Sequence, residues 1–242
     1  MRYFNTKVVI LCGGYGSRLS EETKLIPKPM VKIGGIPIVV HIIRYFKFYG
    51  FRKIILATGY KSKIIEDYFK KRKEFYNVST IFTGKNSLTG GRLLRLKKYL
   101  RNDEEFFLTY GDGLTDLNLK KLYKFHHRHK KLATVTAVHP PVRFGELELK
   151  QNNVRNFAEK KQVKSSWISG GFFIFNKKIF NYLKNDRTIL ETSPMQKLTK
   201  SKNLFAYKHE GFWQCMDTLR EKKLLEDLWE KNKAPWIAGN KK

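Results

Sequence analysis

Only two cysteines, Cys12 and Cys215, occur among the 242 residues. Two thiols cannot build a disulfide framework, and a reducing cytoplasm is the expected setting. Long apolar runs are missing as well. The longest early run, Val8–Cys12, is far shorter than the about 20 residues that span a bilayer, and it is too short for a secretory signal. Acidic residues are scarce: 21 Asp and Glu stand against 49 Lys and Arg, a formal net charge of +28. Repeats, low-complexity tracts and linkers are also absent. What is present is an apolar content of 41% with 14% aromatics, enough to bury a core and exclude a mainly disordered chain. The length suits one domain over 1–242.

A field of that sign attracts nucleic acid, anionic membrane or phosphorylated small molecules. The charge is dispersed in small groups, among them Lys70-Lys71-Arg72-Lys73, Lys222-Lys223 and Lys241-Lys242. Such dispersal reads as solvated faces rather than one binding patch.

Strand-like and helix-like stretches alternate. Runs at Lys7–Cys12, Lys53–Thr58, Val78–Phe82, Glu105–Tyr110 and Ala133–Val138 read as strands. Between them, helical spacing covers Pro37–Tyr49, Ser62–Lys71, Gly91–Leu100 and Leu119–Lys130. The alternation then breaks: Glu146–Leu149, Val154–Phe157 and Gly171–Phe175 read as strands, followed by a strand near Leu204–Tyr207 and a helix over Leu219–Trp229. This predicts an α/β fold, a doubly wound and mainly parallel sheet of Rossmann type with antiparallel additions on the same sheet. Ligands of such sheets lie beyond the carboxyl ends of the strands.

The first strand ends in Leu11-Cys12-Gly13-Gly14-Tyr15-Gly16-Ser17-Arg18-Leu19. Three glycines allow positive φ and an inward-facing nest of N–H groups, with Ser17 and Arg18 as further donors to phosphate. A tight strand-to-helix turn would look the same. The spacing is neither G-x-G-x-x-G nor a Walker loop. Next, Lys28 stands between Pro27 and Pro29, which restrict the backbone and aim its ammonium. Asp112 follows a strand within Gly111-Asp112-Gly113, and Asp217 precedes the last helix. Two carboxylates from distant strand ends suit magnesium, although Asp217 would equally serve as a helix N-cap. Thr89-Gly90-Gly91-Arg92 opens another helix and would seat a base or phosphate, or only cap. His126, His127 and His129 are close together without a fourth ligand, and read as a solvated helix end. Buried packing is expected for both cysteines.

Together these pieces resemble the sugar-1-phosphate nucleotidyltransferase family, over nearly the whole chain. The family's GGxGTRL loop, KPM lysine and two aspartates are matched by Gly13–Leu19, Lys28-Pro29-Met30, Tyr110-Gly111-Asp112-Gly113 and Met216-Asp217-Thr218. Leu19-Ser20-Glu21-Glu22-Thr23, Ser87-Leu88-Thr89-Gly90-Gly91-Arg92-Leu93, Pro141-Val142-Arg143-Phe144-Gly145 and Gly211-Phe212-Trp213-Gln214 resemble its cytidylyl-transferring branch. The resemblance implies a glycosyltransferase-A-like fold and magnesium-dependent transfer of a cytidylyl group from CTP to glucose-1-phosphate. It also implies a cytoplasmic homo-oligomer that binds neither nucleic acid nor membrane.

By the same match, Arg18, Lys28 and Asp112 are catalytic, and Asp112 and Asp217 hold the metal. The nucleotide falls to Leu11, Cys12, Gly13, Gly14, Tyr15, Gly16, Ser17 and Arg18, with Ser87, Thr89, Gly90, Arg92 and Gly111. Ser87, Thr89 and Arg92 would read the cytosine. The sugar phosphate falls to Gly145, Glu159, Lys160 and Gly171, the two glycines leaving room for the ring. Ser17 replaces the family's usual Thr, and Ser169 and Lys161 replace Asn and Pro near the sugar site. The connection between Tyr68 and Thr89 is shorter than in cytidylyl-transferring relatives. Another sugar-1-phosphate, UTP or dTTP as donor, and a basic nucleic-acid-binding protein are the alternatives.

Overall fold

The β-branched run near the start of the chain forms β1, Lys7–Cys12, in a computed structural model that describes residues 5–140, 146–158 and 166–237. The other strands are β2 (Lys32–Ile33), β3 (Ile36–Pro37), β4 (Ile54–Thr58), β5 (Val78–Phe82), β6 (Glu105–Tyr110) and β7 (Gly113–Thr115). They continue with β8 (Ala133–Val138), β9 (Glu146–Lys150), β10 (Asn153–Ala158), β11 (Ile168–Asn176), β12 (Leu204–His209) and β13 (Trp213–Cys215). The helices are α1 (Ser20–Thr23), α2 (Ile38–Phe48), α3 (Ser62–Lys70), α4 (Thr89–Arg95), α5 (Lys97–Leu100), α6 (Leu119–His129), α7 (Ser193–Lys200) and α8 (Leu219–Glu230). None among the described residues is long and apolar enough to cross a membrane.

A seven-stranded sheet orders these as β12-β8-β11-β6-β1-β4-β5. β1 runs parallel to both neighbours, β4 and β6, and both of its faces are buried against packed side chains. That double burial explains the unbroken apolar sequence. Its side chains alternate between two cores. Val8, Ile10 and Cys12 join the one that holds Ile38, Ile42 and Phe46 of α2. Val9 and Leu11 join the other, with Leu93, Leu96 and Leu100.

The antiparallel additions are fewer than the sequence predicts. β11 alone enters the main sheet in the reverse sense, against both β6 and β8, while β12 pairs parallel with β8. β9 and β10 leave the sheet and pair with each other as a separate ribbon. The helix expected over Gly91–Leu100 is two helices, α4 and α5, that meet at Leu96. The two-residue pair β2–β3, the pair β7–β13 and helix α7 have no counterpart in the sequence reading.

The histidine cluster also departs from it. His126 is buried, and Thr134 Oγ1 lies 2.7 Å from its Nδ1 and 2.7 Å from His129 Nε2. His126 stands seven residues after Leu119 on the helix face that packs inward, which accounts for the burial. Burial, and then the neighbouring His129 and His127, push its imidazole down to about 3.

A histidine kept neutral by the fold stabilises it above the unfolded value of 6.5, and that contribution is lost as pH falls toward about 3. Replacing His126 by Gln is therefore expected to flatten the decline of melting temperature between pH 7 and pH 4. Melting curves across that range check this. Parallel declines in the variant and the parent protein would refute the assignment.

Candidate active site

The carboxyl ends of β1, β5 and β6 open into one cleft of about 430 Å³. Its walls are the turn from Leu11 to Arg18, Lys28 and Pro29, the segment from Lys85 to Thr89 with Arg92, the stretch Tyr110-Gly111-Asp112, and Asp217. The loops after β1, β5 and β6 meet at one end of the main sheet, and Asp217 joins them through the separate pair β7–β13.

The glycine turn is built for close approach. Gly16 has φ +67°, and a Cβ there would stand 2.9 Å from Thr23 Cγ2 and 3.0 Å from Lys28 Cβ. Gly13 is needed for a different reason: a Cβ would fall 2.0 Å from Arg92 Nη1. Positive φ is thus confined to Gly16 within the turn, not spread over its three glycines. Thr23 ties the turn down: its hydroxyl lies 3.0 Å from Gly16 O and 2.9 Å from Leu19 O, its one proton shared between them.

Lys28 begins a one-turn 3-10 helix after the extended Pro27, and its side chain is nearly buried. Its Nζ donates to Asp112 Oδ2 and, at 2.5 Å, to Asp217 Oδ1. Arg18, with a side chain 73% exposed, reaches Asp217 Oδ2 at 2.9 Å. The two aspartates are joined through the backbone too: β13 pairs with β7, and Met216 N donates to Asp112 O at 2.9 Å. Asp217 is not the cap of α8. Thr218 is, in a capping box with Glu221, whose carboxylate also accepts from Asp217 N at 2.7 Å. That arrangement leaves the Asp217 carboxylate to the cleft.

The charges reinforce one another. Burial works against the Lys28 ammonium, but Asp112 and Asp217 outweigh it and raise its pKa. Burial likewise disfavours a charged Asp217, and Lys28 and Arg18 overcome it, holding the carboxyl below the usual range. Cys215, close to Asp217, is pushed up to about 12 by burial and then by Glu221, Asp217 and Asp112. Cys12 is raised too, chiefly by burial. Both thiols stay protonated at neutral pH, in keeping with packing. Cys215, Asp217 and Glu221 are the one compact trio of metal-ligating types among the described residues, but the Glu221 carboxylate is spent on the capping box.

Several expectations change on the side of β5 and α4. Arg92 lines the cleft but is only 4% exposed. Its Nη2 donates to Gly13 O at 2.8 Å, and its Nη1 to Thr58 O at 3.0 Å and Gly84 O at 2.8 Å. The guanidinium expected to read a base thus binds the ends of β1, β4 and β5 together, and its space also lies 2.3 Å from where a Cβ on Gly59 would stand. Gly90 does not line the cleft. Its N–H donates at 2.9 Å to Thr188 O, and a Cβ there would meet Thr188 at 2.8 Å. Gly90 and Gly91 are therefore glycine because the chain before α7 packs on the start of α4. Gly171 has φ +74°, and the space expected for a sugar ring belongs to Tyr110, whose Cδ2 would lie 2.6 Å from a Cβ. Gly145, Glu159 and Lys160 lie outside the described residues, as does Lys161.

Lining residues that the sequence reading passed over include Lys85, Asn86, Leu88, Pro29 and Tyr110. Tyr15 donates to Asn86 Oδ1 at 2.6 Å and packs on Tyr60, so the β1 turn and the β5 loop touch across the cleft. For Lys85, Asn86 and Leu88, the position after β5 was the available signal.

A family model described as nucleotidyl transferase matches residues 7–224. The chain is 45% identical to a glucose-1-phosphate cytidylyltransferase of Salmonella typhimurium, over 95% of this chain and 98% of that protein. It is 33% identical to the mannose-1-phosphate guanylyltransferase catalytic subunit beta of Drosophila melanogaster, over 92% of this chain and 62% of that protein. Among solved structures, HddC from Yersinia pseudotuberculosis superposes with a TM-score of 0.75 at 26% identity, covering 93% of this chain and 99% of that one.

Removing the Arg92 fork takes the side-chain donor from Gly84 O, while Gly13 O keeps the N–H of Tyr60 and Thr58 O keeps the N–H and hydroxyl of Thr83. Arg92→Met is expected to cost the ligand-free protein about 1–3 kcal/mol, the range for one buried group left unpaired. Urea denaturation without nucleotide measures it. A loss under about 0.5 kcal/mol would show that the guanidinium serves ligand alone.

Proposed function

The chain belongs to the nucleotidyl transferase family, and from that premise we propose that it transfers the cytidylyl group of CTP to α-D-glucose-1-phosphate, releasing CDP-glucose and pyrophosphate. The observation that carries the reading is the meeting of Lys28, Arg18, Asp112 and Asp217 at one end of a glycine turn. Attack of one phosphate on another needs alignment and charge neutralisation more than covalent chemistry. These four side chains and the turn supply both.

The donor set also fits a divalent ion. Asp112 and Asp217 reach the same ammonium, so their oxygens converge from two loops, and the cleft beside them has room for phosphates. Two carboxylates completed by phosphate oxygens and water are what magnesium takes. Bound there, the ion would neutralise charge on the phosphates. Magnesium as that ion, a cytoplasmic setting and assembly with further copies of the chain belong to this reading.

The residues of the chain then have separable tasks. The turn from Gly13 to Ser17 cradles the triphosphate with its N–H groups. Arg18, already extended into solvent, swings from Asp217 to the departing pyrophosphate. Lys28 moves from the two aspartates to the α-phosphate and the incoming sugar phosphate, carrying its charge to the place where negative charge accumulates. By the family resemblance, Glu159 would take the sugar hydroxyls, Lys160 the sugar phosphate, and Gly145 would leave room for the ring. A nucleic-acid-binding reading of the +28 charge leaves the set around Lys28 without a task.

Pyrophosphate release from CTP, UTP, dTTP, ATP and GTP with glucose-1-phosphate and magnesium tests this, CTP being the expected donor. Release with another nucleotide in its place would overturn the base assignment. Asp112→Ala is expected to lower turnover at least about 100-fold, or ~2.7 kcal/mol, while the circular dichroism spectrum stays that of the parent. Activity within about tenfold of the parent would remove Asp112 from the metal site.

A further inference from the structure

What a hydroxyl offers a ligand depends on where its own proton goes. Thr89 opens α4 and lines the cleft beside Ser87 and Leu88. Its Oγ1 donates to Glu191 Oε2 at 2.6 Å. The same oxygen accepts the N–H of Leu190 at 2.9 Å. A hydroxyl has one proton and two lone pairs. The proton and one pair are spent, and one lone pair remains.

The carboxylate that takes the proton is itself held. Its other oxygen, Oε1, accepts the phenol O–H of Tyr110, a second lining residue. Burial and then Glu191 raise the Tyr110 pKa well above its usual value, so that proton stays in place. The segment carrying Glu191 is fixed against α4: Leu88 N donates to Asp186 O at 2.9 Å, Gly90 N to Thr188 O at 2.9 Å, and Arg95 Nε to Asp186 Oδ1 at 2.7 Å. A carboxylate only accepts. Neither Thr89 nor Tyr110 can therefore turn its proton toward the cleft without abandoning Glu191.

We infer that Glu191 sets the base preference of the cleft, by locking the Thr89 hydroxyl as an acceptor and so favouring an amino-bearing base over a keto-bearing one. Cytosine and adenine present an exocyclic NH₂ donor where uracil, thymine and guanine present a carbonyl acceptor. A lone pair facing a carbonyl oxygen leaves both unpaired, and that penalty discriminates. Glu191 acts through Thr89 and is a positioning residue. The inference rests on the nucleotide reading above, but it concerns a class of base and not CTP alone.

The test is the ratio of kcat/KM for CTP over UTP in the parent protein, Glu191→Gln and Thr89→Val, with melting temperature as a check of the fold. A glutamine amide donates as well as accepts, which releases the Thr89 proton to the cleft. Glu191→Gln is expected to lower the ratio at least about tenfold through a gain on UTP, with a lower KM for UTP. Thr89→Val is expected to raise KM for CTP and leave KM for UTP unchanged. Equal losses on both nucleotides in Glu191→Gln, or an unchanged ratio, would overturn the inference. A parent protein that prefers UTP, dTTP or GTP would overturn it too. One that prefers ATP would overturn the CTP reading and support this one.

Discussion

Two carboxylates that must lie close enough to share a cation repel each other until something positive stands between them. Lys28 meets that requirement, and much of the surrounding structure follows from it. Prolines on both sides set its approach. Joining β7 to β13 brings Asp112 and Asp217, which come from distant parts of the chain, to the same ammonium. Capping α8 with Thr218 and Glu221 keeps Asp217 from being drawn into the helix end. The site is thus a balanced charge set before any ligand arrives, at a place where an unbalanced pair of half-buried acids would be costly.

Second to this constraint is the fixing of the strand ends. A cleft built from separate loops is only as rigid as the ties between them. Arg92 supplies those ties for β1, β4 and β5, and Tyr15 with Asn86 supplies one more across the opening. On the other side, Glu191 connects α4 to the end of β6 through Thr89 and Tyr110. Each tie adds side-chain hydrogen bonds to those the backbone makes. Positioning and polar satisfaction are here the same set of bonds.

The sequence disclosed these features unequally. β1 and β4 were legible because strands buried on both faces read as continuous apolar runs, and β6 and β8 because β-branched and aromatic residues dominate them. The two- and three-residue strands β2, β3, β7 and β13 are too short for any period to register. Lys28, Asp112 and Asp217 could be singled out because their side chains and their prolines and glycines limit what they can do. The partners of Arg92, Thr89 and Gly90 could not be read from their neighbours in sequence. Their partners Thr58, Glu191 and Thr188 lie on other elements, and a choice of distant partner leaves no local trace. His126 did leave one: it shares the inward face of Leu119 and Leu122, which outweighs the polar residues on either side.

The contact between Arg92 and the two glycines beneath it makes Gly13, Gly59 and Arg92 a single unit of inheritance. A side chain at either glycine must displace the guanidinium, and losing the guanidinium first cuts the ties between the strand ends and leaves Gly84 O without that donor. Neither order of substitution passes through a sound intermediate. Descendants of this chain are therefore expected to keep all three residues or to rebuild the floor of the cleft in one step.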